Sequence, residues 1–137
     1  MLSADERTPV AMSLSEGQLH DGPQGRALLE QCGPVSELLK KHGKNEGTEI
    51  TLIADKAYES DKTRYFAKNL GYKLCIPPKS NRKEPWEYDV ELYKRRNEVE
   101  RIFRRVKEYR RVFTRYDKLD LMYMGFVMLG FIVEALP

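Results

Sequence analysis

Glu49-Ile50-Thr51-Leu52-Ile53-Ala54, followed at once by Asp55, is the stretch that decides the fold. It predicts a short strand with a buried centre that ends at Asp55. Helical patterns flank it. Upstream, Gln24–Cys32 reads as a helix, Gly33-Pro34 interrupts it, and Val35–His42 resumes it with Gly43 as the C-cap. Downstream, Ser60 N-caps a helix over Asp61–Leu70, closed by Gly71. Tyr72–Ile76 is a further strand, stopped by Pro77-Pro78. Nearer the start, Pro9–Ser15 alternates, with Val10, Met12 and Leu14 on one side, and reads as a strand. Glu16–Pro23 is a turn region. Lys79–Asp89 is a polar, basic loop containing Trp86. Val90–Tyr116 reads as one long helix and Leu119–Leu136 as another. The alternation of strands and helices predicts an α/β layer with a largely parallel sheet. In such sheets sites gather at the carboxyl ends of strands, where Asp55 stands.

The chain has 137 residues, enough for one domain spanning 1–137. Charged residues make up 33% and hydrophobic ones 41%, a balance that excludes a disordered tail. Cys32 and Cys75 are too few for a disulfide scaffold or a cysteine zinc site. Met1-Leu2 runs at once into Asp5, Glu6 and Arg7, unlike a secretory leader. The longest uncharged apolar run, Leu121–Val133, has 13 residues, whereas a membrane span needs about 20. The expectation is a cytoplasmic domain with no membrane partner.

Charge is unevenly spread. The net charge is +3, but Tyr93–Lys118 holds eleven bases against four acids, a net +7. The remainder holds thirteen bases against seventeen acids, a net −4. A basic block in a mildly acidic body fits a polyanion-binding face. It also fits a solvated helix laced with ion pairs. On a helical wheel starting at Tyr93, Arg96, Glu100, Lys107 and Arg111 fall at about −60°, −20°, −40° and 0°. Val99, Ile102, Val106, Tyr109 and Phe113 fall on the far side. The helix is amphipathic, and its polar stripe holds a carboxylate among cations. Glu100 could be only an ion-pair partner there, and Asp55 only a cap for the turn after its strand.

Together these residues resemble something specific. Tyr93, two residues, Arg96, three residues, Glu100, six residues, Lys107 is similar to the Tyr-Arg-Glu-Lys signature of the DDE transposases of the IS4 and IS5 insertion-sequence families. Tyr93–Phe103 and Arg110–Lys118 resemble the catalytic helix of IS5-type members and its continuation. Ala54-Asp55-Lys56-Ala57-Tyr58-Glu59-Ser60 looks like the segment that holds the second catalytic Asp. Ile76–Pro85 resembles the loop between the two, and Leu14–Asp21 a turn that precedes them. The resemblance covers nearly the whole chain, in four blocks in the right order.

The resemblance implies a ribonuclease-H-like fold with C-terminal helices. It implies phosphodiester hydrolysis at the ends of an insertion sequence, followed by strand transfer. Two Mg²⁺ ions about 3.5–4 Å apart would clamp the attacking and leaving oxygens. Asp55 and Glu100 would be the catalytic metal ligands. Tyr93, Arg96 and Lys107 would position the DNA backbone, the Arg through its planar fork and the Lys as a point charge. Lys79, Arg82 and Lys83 would touch phosphates non-specifically. Partners would be terminal-repeat and target DNA, with a homo-oligomer or a fusion to an upstream reading frame.

One family element has no counterpart here. Such enzymes use three carboxylates, and no Asp-Ser/Thr-Thr-like motif precedes Asp55. Residues before it resemble the end of the family's second strand (Met1–Asp5), its third strand and its first helix. The expectation is an N-terminally truncated fold, lacking the first strand and most of the second, with little activity alone and an exposed sheet edge prone to association. Asp5 is the nearby candidate for the missing ligand, and Asp21 reads as turn chemistry. A non-catalytic DNA-binding remnant is the alternative, and a scaffold for RNA or another polyanion a third reading. Trp86 either stacks a flipped base or packs its loop onto the body. His20 and His42 read as turn and helix-end residues, Cys75 as a buried inert thiol. The closing helix reads as core, with Gly125 and Gly130 permitting close packing.

Overall fold

The computed structural model describes residues 1–5, 7–14, 21–45 and 47–136. It divides into two compact units, Met1–Glu16 with Asn97–Pro137, and Gly17–Arg96. Each is taken by itself below.

In the first unit, β1 (Leu2–Ser3) and β2 (Pro9–Ala11) form an antiparallel pair. The turn between them is built by Asp5. Its carboxylate accepts from Arg7 N at 2.7 Å, Thr8 N at 2.8 Å and Thr8 Oγ1 at 3.0 Å. That is local Asx-turn chemistry. Asp5 serves a turn, and one expectation is corrected: the strand that starts at Pro9 pairs antiparallel instead of joining a parallel sheet. The strand ends at Ala11, short of the expected Ser15. Of the expected turn over Glu16–Pro23, residues 16–20 with His20 lie outside the described residues, and residues 21–23 begin a helix instead of the turn expected at Asp21.

The second unit opens with α1 (Asp21–Cys32) and α2 (Val35–Lys41). Gly43, at φ 61°, takes the left-handed conformation that ends α2, with Lys44 N donating to Leu39 O at 2.9 Å. Next comes β3 (Thr51–Ile53), then a 3₁₀ turn over Lys56–Tyr58, α3 (Asp61–Asn69) and β4 (Lys73–Cys75). Strands β3 and β4 are parallel, Leu52 opposite Leu74. Ser60 caps α3 as expected, its Oγ accepting from Thr63 N at 3.3 Å. A close approach seats the 3₁₀ turn: a Cβ at Gly25 of α1 would lie 2.5 Å from the Tyr58 ring. Only glycine lets that ring pack on the helix. The buried apolar residues here include Leu28, Leu29, Leu39, Ala67 and Ile76.

The expected single helix over Val90–Tyr116 is in fact segmented. It comprises α4 (Val90–Tyr93), a 3₁₀ turn over Lys94–Arg96, α5 (Asn97–Val106) and α6 (Arg110–Phe113). A 3₁₀ stretch advances about 120° per residue, so one 100° wheel does not run through it. The later break follows from packing in the first unit. Tyr109 is extended, at φ −74° and ψ 119°. Its hydroxyl donates to Glu134 Oε1 at 3.0 Å. Its ring and Val106 lie against Gly130 of α7 (Asp120–Ala135), where a Cβ would come within 3.1 Å of Val106. Gly130 therefore permits the close packing expected of it, whereas nothing lies within 4 Å of a Cβ at Gly125.

Ile102, Val106, Val112, Val127 and Phe131 form the first unit's core. Helix α7 is only partly core, contrary to expectation. Leu121, Leu129, Ile132 and Val133 are all more than half exposed. The helix is apolar all round, but α5 and α6 cover one face of it. No helix among the described residues is long and apolar enough to cross a membrane.

Candidate active site

Asp55 follows the ladder of β3, which Ala54 extends by donating to Cys75 O at 3.4 Å. It stands at the N-cap of the 3₁₀ turn, yet its carboxylate makes no capping bond. The turn is closed by the backbone, Tyr58 N to Asp55 O at 2.9 Å. The side chain instead faces Arg96, whose Nη1 lies 3.5 Å from Oδ2. Charge-assisted hydrogen bonds run about 2.7–2.9 Å, so this is a loose pair. With 46% of the Asp55 side chain and 32% of the Arg96 side chain exposed, it contributes about 0–1 kcal/mol.

Tyr93 completes the cluster. The Arg96 guanidinium carbon lies 5.9 Å from its ring centroid, and Tyr88 packs edge-on at 5.6 Å. In a 3₁₀ turn residues three apart eclipse, which stacks Arg96 near Tyr93. Burial, and next the negative charge of Asp55, push the Tyr93 phenol above its ordinary range, while Arg96 pulls it back. Asp89 starts α4 by accepting from Leu92 N at 2.9 Å, and so fixes where Tyr93 and Arg96 emerge.

Glu100 and Lys107 belong to the first unit. Glu100 is exposed on α5. Lys107 is exposed one residue past α5, its N–H still bonded to Phe103 O at 3.0 Å. The second unit thus brings together Asp55, Tyr93 and Arg96 of the expected set.

The loop cations have different surroundings. Arg82 Nη1 lies 3.0 Å from Glu59 Oε2, and its other nitrogen pairs with Asp61. Lys79 Nζ is 3.8 Å from Glu59 Oε1, with half its side chain exposed. Lys83 is exposed. Trp86 packs its loop down: Nε1 donates to Ile76 O at 2.8 Å, and the guanidiniums of Arg64 and Arg82 lie 3.5 and 4.6 Å from its ring. Glu59, only 7% exposed, is the residue sequence reasoning missed. Its cationic partners lie 20 and 23 positions along the chain, beyond any helical or strand period. Cys75 is buried and its thiol is pushed up by that burial, the mark of an inert cysteine. His42 caps α2, a helix-end role.

A two-metal centre needs carboxylates shared between the ions. Among the described residues no group of three His, Cys, Asp or Glu could hold a metal ion. Asp55 offers one carboxylate, already beside a guanidinium. The described residues do not complete such a centre.

The chain is mixed α/β, and its second unit sets a strand-end carboxylate beside an Arg, with a Tyr near that Arg. The family follows from comparison: the model of the transposase DDE domain matches residues 1–133, and this chain belongs to that family. It is similar to "Putative transposase for insertion sequence element IS6501" of Brucella ovis (strain ATCC 25840 / 63/290 / NCTC 10512). The two are 32% identical over 123 residues, which is 89% of this chain and 84% of the relative. No solved structure matches. DDE transposases are enzymes of DNA transposition, bind DNA and are generally dependent on divalent metal.

Proposed function

We propose that residues 1–137 are one partial catalytic domain of an IS4/IS5-type insertion-sequence transposase, with a ribonuclease-H-like fold. Asp55 and Glu100 are two of its metal-binding carboxylates, and Mg²⁺ is the metal. Tyr93, Arg96 and Lys107 hold the DNA backbone near the scissile phosphate, with Lys79 and Lys83 as outlying phosphate contacts. Arg82, engaged by two carboxylates, is the weakest of the expected DNA contacts. The third carboxylate is supplied from outside this stretch, by an upstream-frame fusion or another copy. The observation that carries the reading is the Asp55 side chain, which leaves its turn uncapped and meets Arg96 instead, with Tyr93 near that Arg.

The Asp55 pair itself is weak, so it opposes little the approach of a phosphate to the Arg96 fork. Tyr93 stays a neutral hydrogen-bond donor at working pH, since its phenol is pushed up rather than down. The test is binding of the whole chain to duplex DNA across a salt series. Arg96→Gln is expected to lower the log–log salt slope by about 1. Asp55→Asn, which removes the Asp55 charge beside Arg96, is expected to leave binding equal or tighter. An unchanged slope in Arg96→Gln sinks the reading. The non-catalytic, DNA-binding alternative draws on the incomplete metal donor set among the described residues. Mg²⁺-dependent cleavage by the chain, abolished by Glu100→Gln, would exclude it.

A further inference from the structure

Residues 76–89 connect β4 to α4 with no helix or strand of their own. Connections of that length are uncommon inside compact units. This one nevertheless ends at Tyr93 and Arg96, which must arrive at Asp55. Three attachments hold it. Trp86 donates to Ile76 O, at the connection's own start. The Cys75 thiol meets Asp89 O at 3.3 Å, at its end. Between them, Lys79 and Arg82 converge on Glu59.

The Glu59 attachment differs from the others in where it leads. Glu59 lies four residues after Asp55, on the same short segment. The chain therefore leaves Asp55–Glu59, runs through α3 and β4, touches down on Glu59, and touches down again on Asp55 through Arg96. We propose that Glu59 is a positioning residue: by holding Lys79 and Arg82 it sets the course of the connection, and so the place at which Arg96 meets Asp55. Its burial supports this. Asp61, two residues on, also pairs with Arg82 but leaves 75% of its side chain exposed, whereas Glu59 leaves 9%. An acid serving only the first turn of α3 would sit outside as Asp61 does. Glu59 is instead desolvated at a point where two cations of the connection reach it. Arg82 is further steadied by the Trp86 ring, so the anchor is stiff in direction as well as in distance.

The test uses the whole chain and reads the Arg96 guanidinium directly by ¹⁵N side-chain NMR. The Arg96 guanidinium shifts differ with and without a carboxylate beside it. Asp55→Asn gives the reference for Arg96 without its Asp55 partner. Glu59→Gln is expected to move the Arg96 signals toward that reference, while the Thr63 amide signal, reporting the Ser60 cap, stays in place. Glu59→Asp is expected to restore the parent's signals in part. Arg96 signals in Glu59→Gln identical to those of the parent overturn the proposal. Should Glu59→Gln fail to fold, Arg82→Gln cuts the same anchor from the other side, with the same expected and contrary results.

Discussion

Both units carry dense positive charge, and they use it in opposite ways. In the second unit, Arg82 of the basic loop faces inward, while Lys79 is half exposed and Lys83 exposed. Arg82 is pinned between Glu59, Asp61 and Trp86, with 22% of its side chain exposed. In the first unit, Arg104, Lys107, Arg110, Arg111 and Lys118 lie exposed around a core of Ile102, Val106, Val112, Val127 and Phe131. The Arg82 cluster spends its charge on a buried acid, whereas these five cations lie outside an apolar core. A lysine or arginine in a sequence therefore says nothing of its role until a carboxylate partner is located. A buried pair is structural because leaving one member alone is costly. An exposed cation stays available to a polyanion.

The largest effect expected from this contrast is at Arg82. Arg82→Ala leaves Glu59 desolvated with Lys79, at 3.8 Å, as its remaining cationic partner among the described residues. Hydrogen bonds to charged groups are worth about 1.5–3 kcal/mol, and chemical denaturation should show a loss of that size. A loss below half a kcal/mol would place Arg82 with the exposed cations and erase the contrast.

The contrast also explains what sequence reading reaches. Strand β3, the Ser60 cap, the Gly43 end of α2 and the position of Asp55 were legible because each is written within a few residues. The apolar run marks the strand, and Ser60 faces the amide three residues on. The Glu59–Arg82 anchor was not legible, since its partners share no period. Nor was the break after Val106: Lys107-Glu108-Tyr109 contains neither glycine nor proline. It turns because Tyr109 finds Glu134, 25 residues away, and because Gly130 leaves room for it. The antiparallel start was missed because Asp5 acts as a turn-builder. Of the expected site, the sequence spacing pointed to Tyr93, Arg96 and Asp55, which the second unit assembles. Spacing alone did not foresee the 3₁₀ turn that carries Arg96.

A smaller effect compares two tyrosines. Burial, and then the charge of Cys32, push the Tyr72 phenol of the second unit up to about 12. Tyr109 of the first unit is also raised, but chiefly because its hydroxyl donates to Glu134. In both, the folded chain holds its proton more tightly than the unfolded chain. The stability so gained is complete below the ordinary phenol pKa of about 10. It is lost as pH rises, for Tyr72 over the window from about 10 to about 12. Tyr72→Phe removes the weak bond to Gly33 O, 3.3 Å long, at a cost of about 0.5–1.5 kcal/mol at neutral pH. Alkaline unfolding curves should then be flatter for Tyr72→Phe than for the parent. Identical slopes would mean that Tyr72 is not the group that titrates.

The smallest effect on stability, and the sharpest on binding, is expected on the first unit's surface. Arg104 and Lys118 are exposed, and neither contributes to the core. Arg104→Gln with Lys118→Gln should shift stability by no more than about 0.5 kcal/mol each, the range for surface changes away from packed features. In a DDE transposase the same exposure makes them available to phosphate. If both touch DNA, the salt slope of duplex binding falls by about 2 in the double variant, about 1 per contact. Thermal melting and salt-dependent binding on the same samples separate the outcomes. A fall in slope with an unchanged melt assigns these cations to DNA. A fall in melt with an unchanged slope means that this surface, like the Arg82 loop, spends its charge on holding the fold, and the division between the two units would not hold.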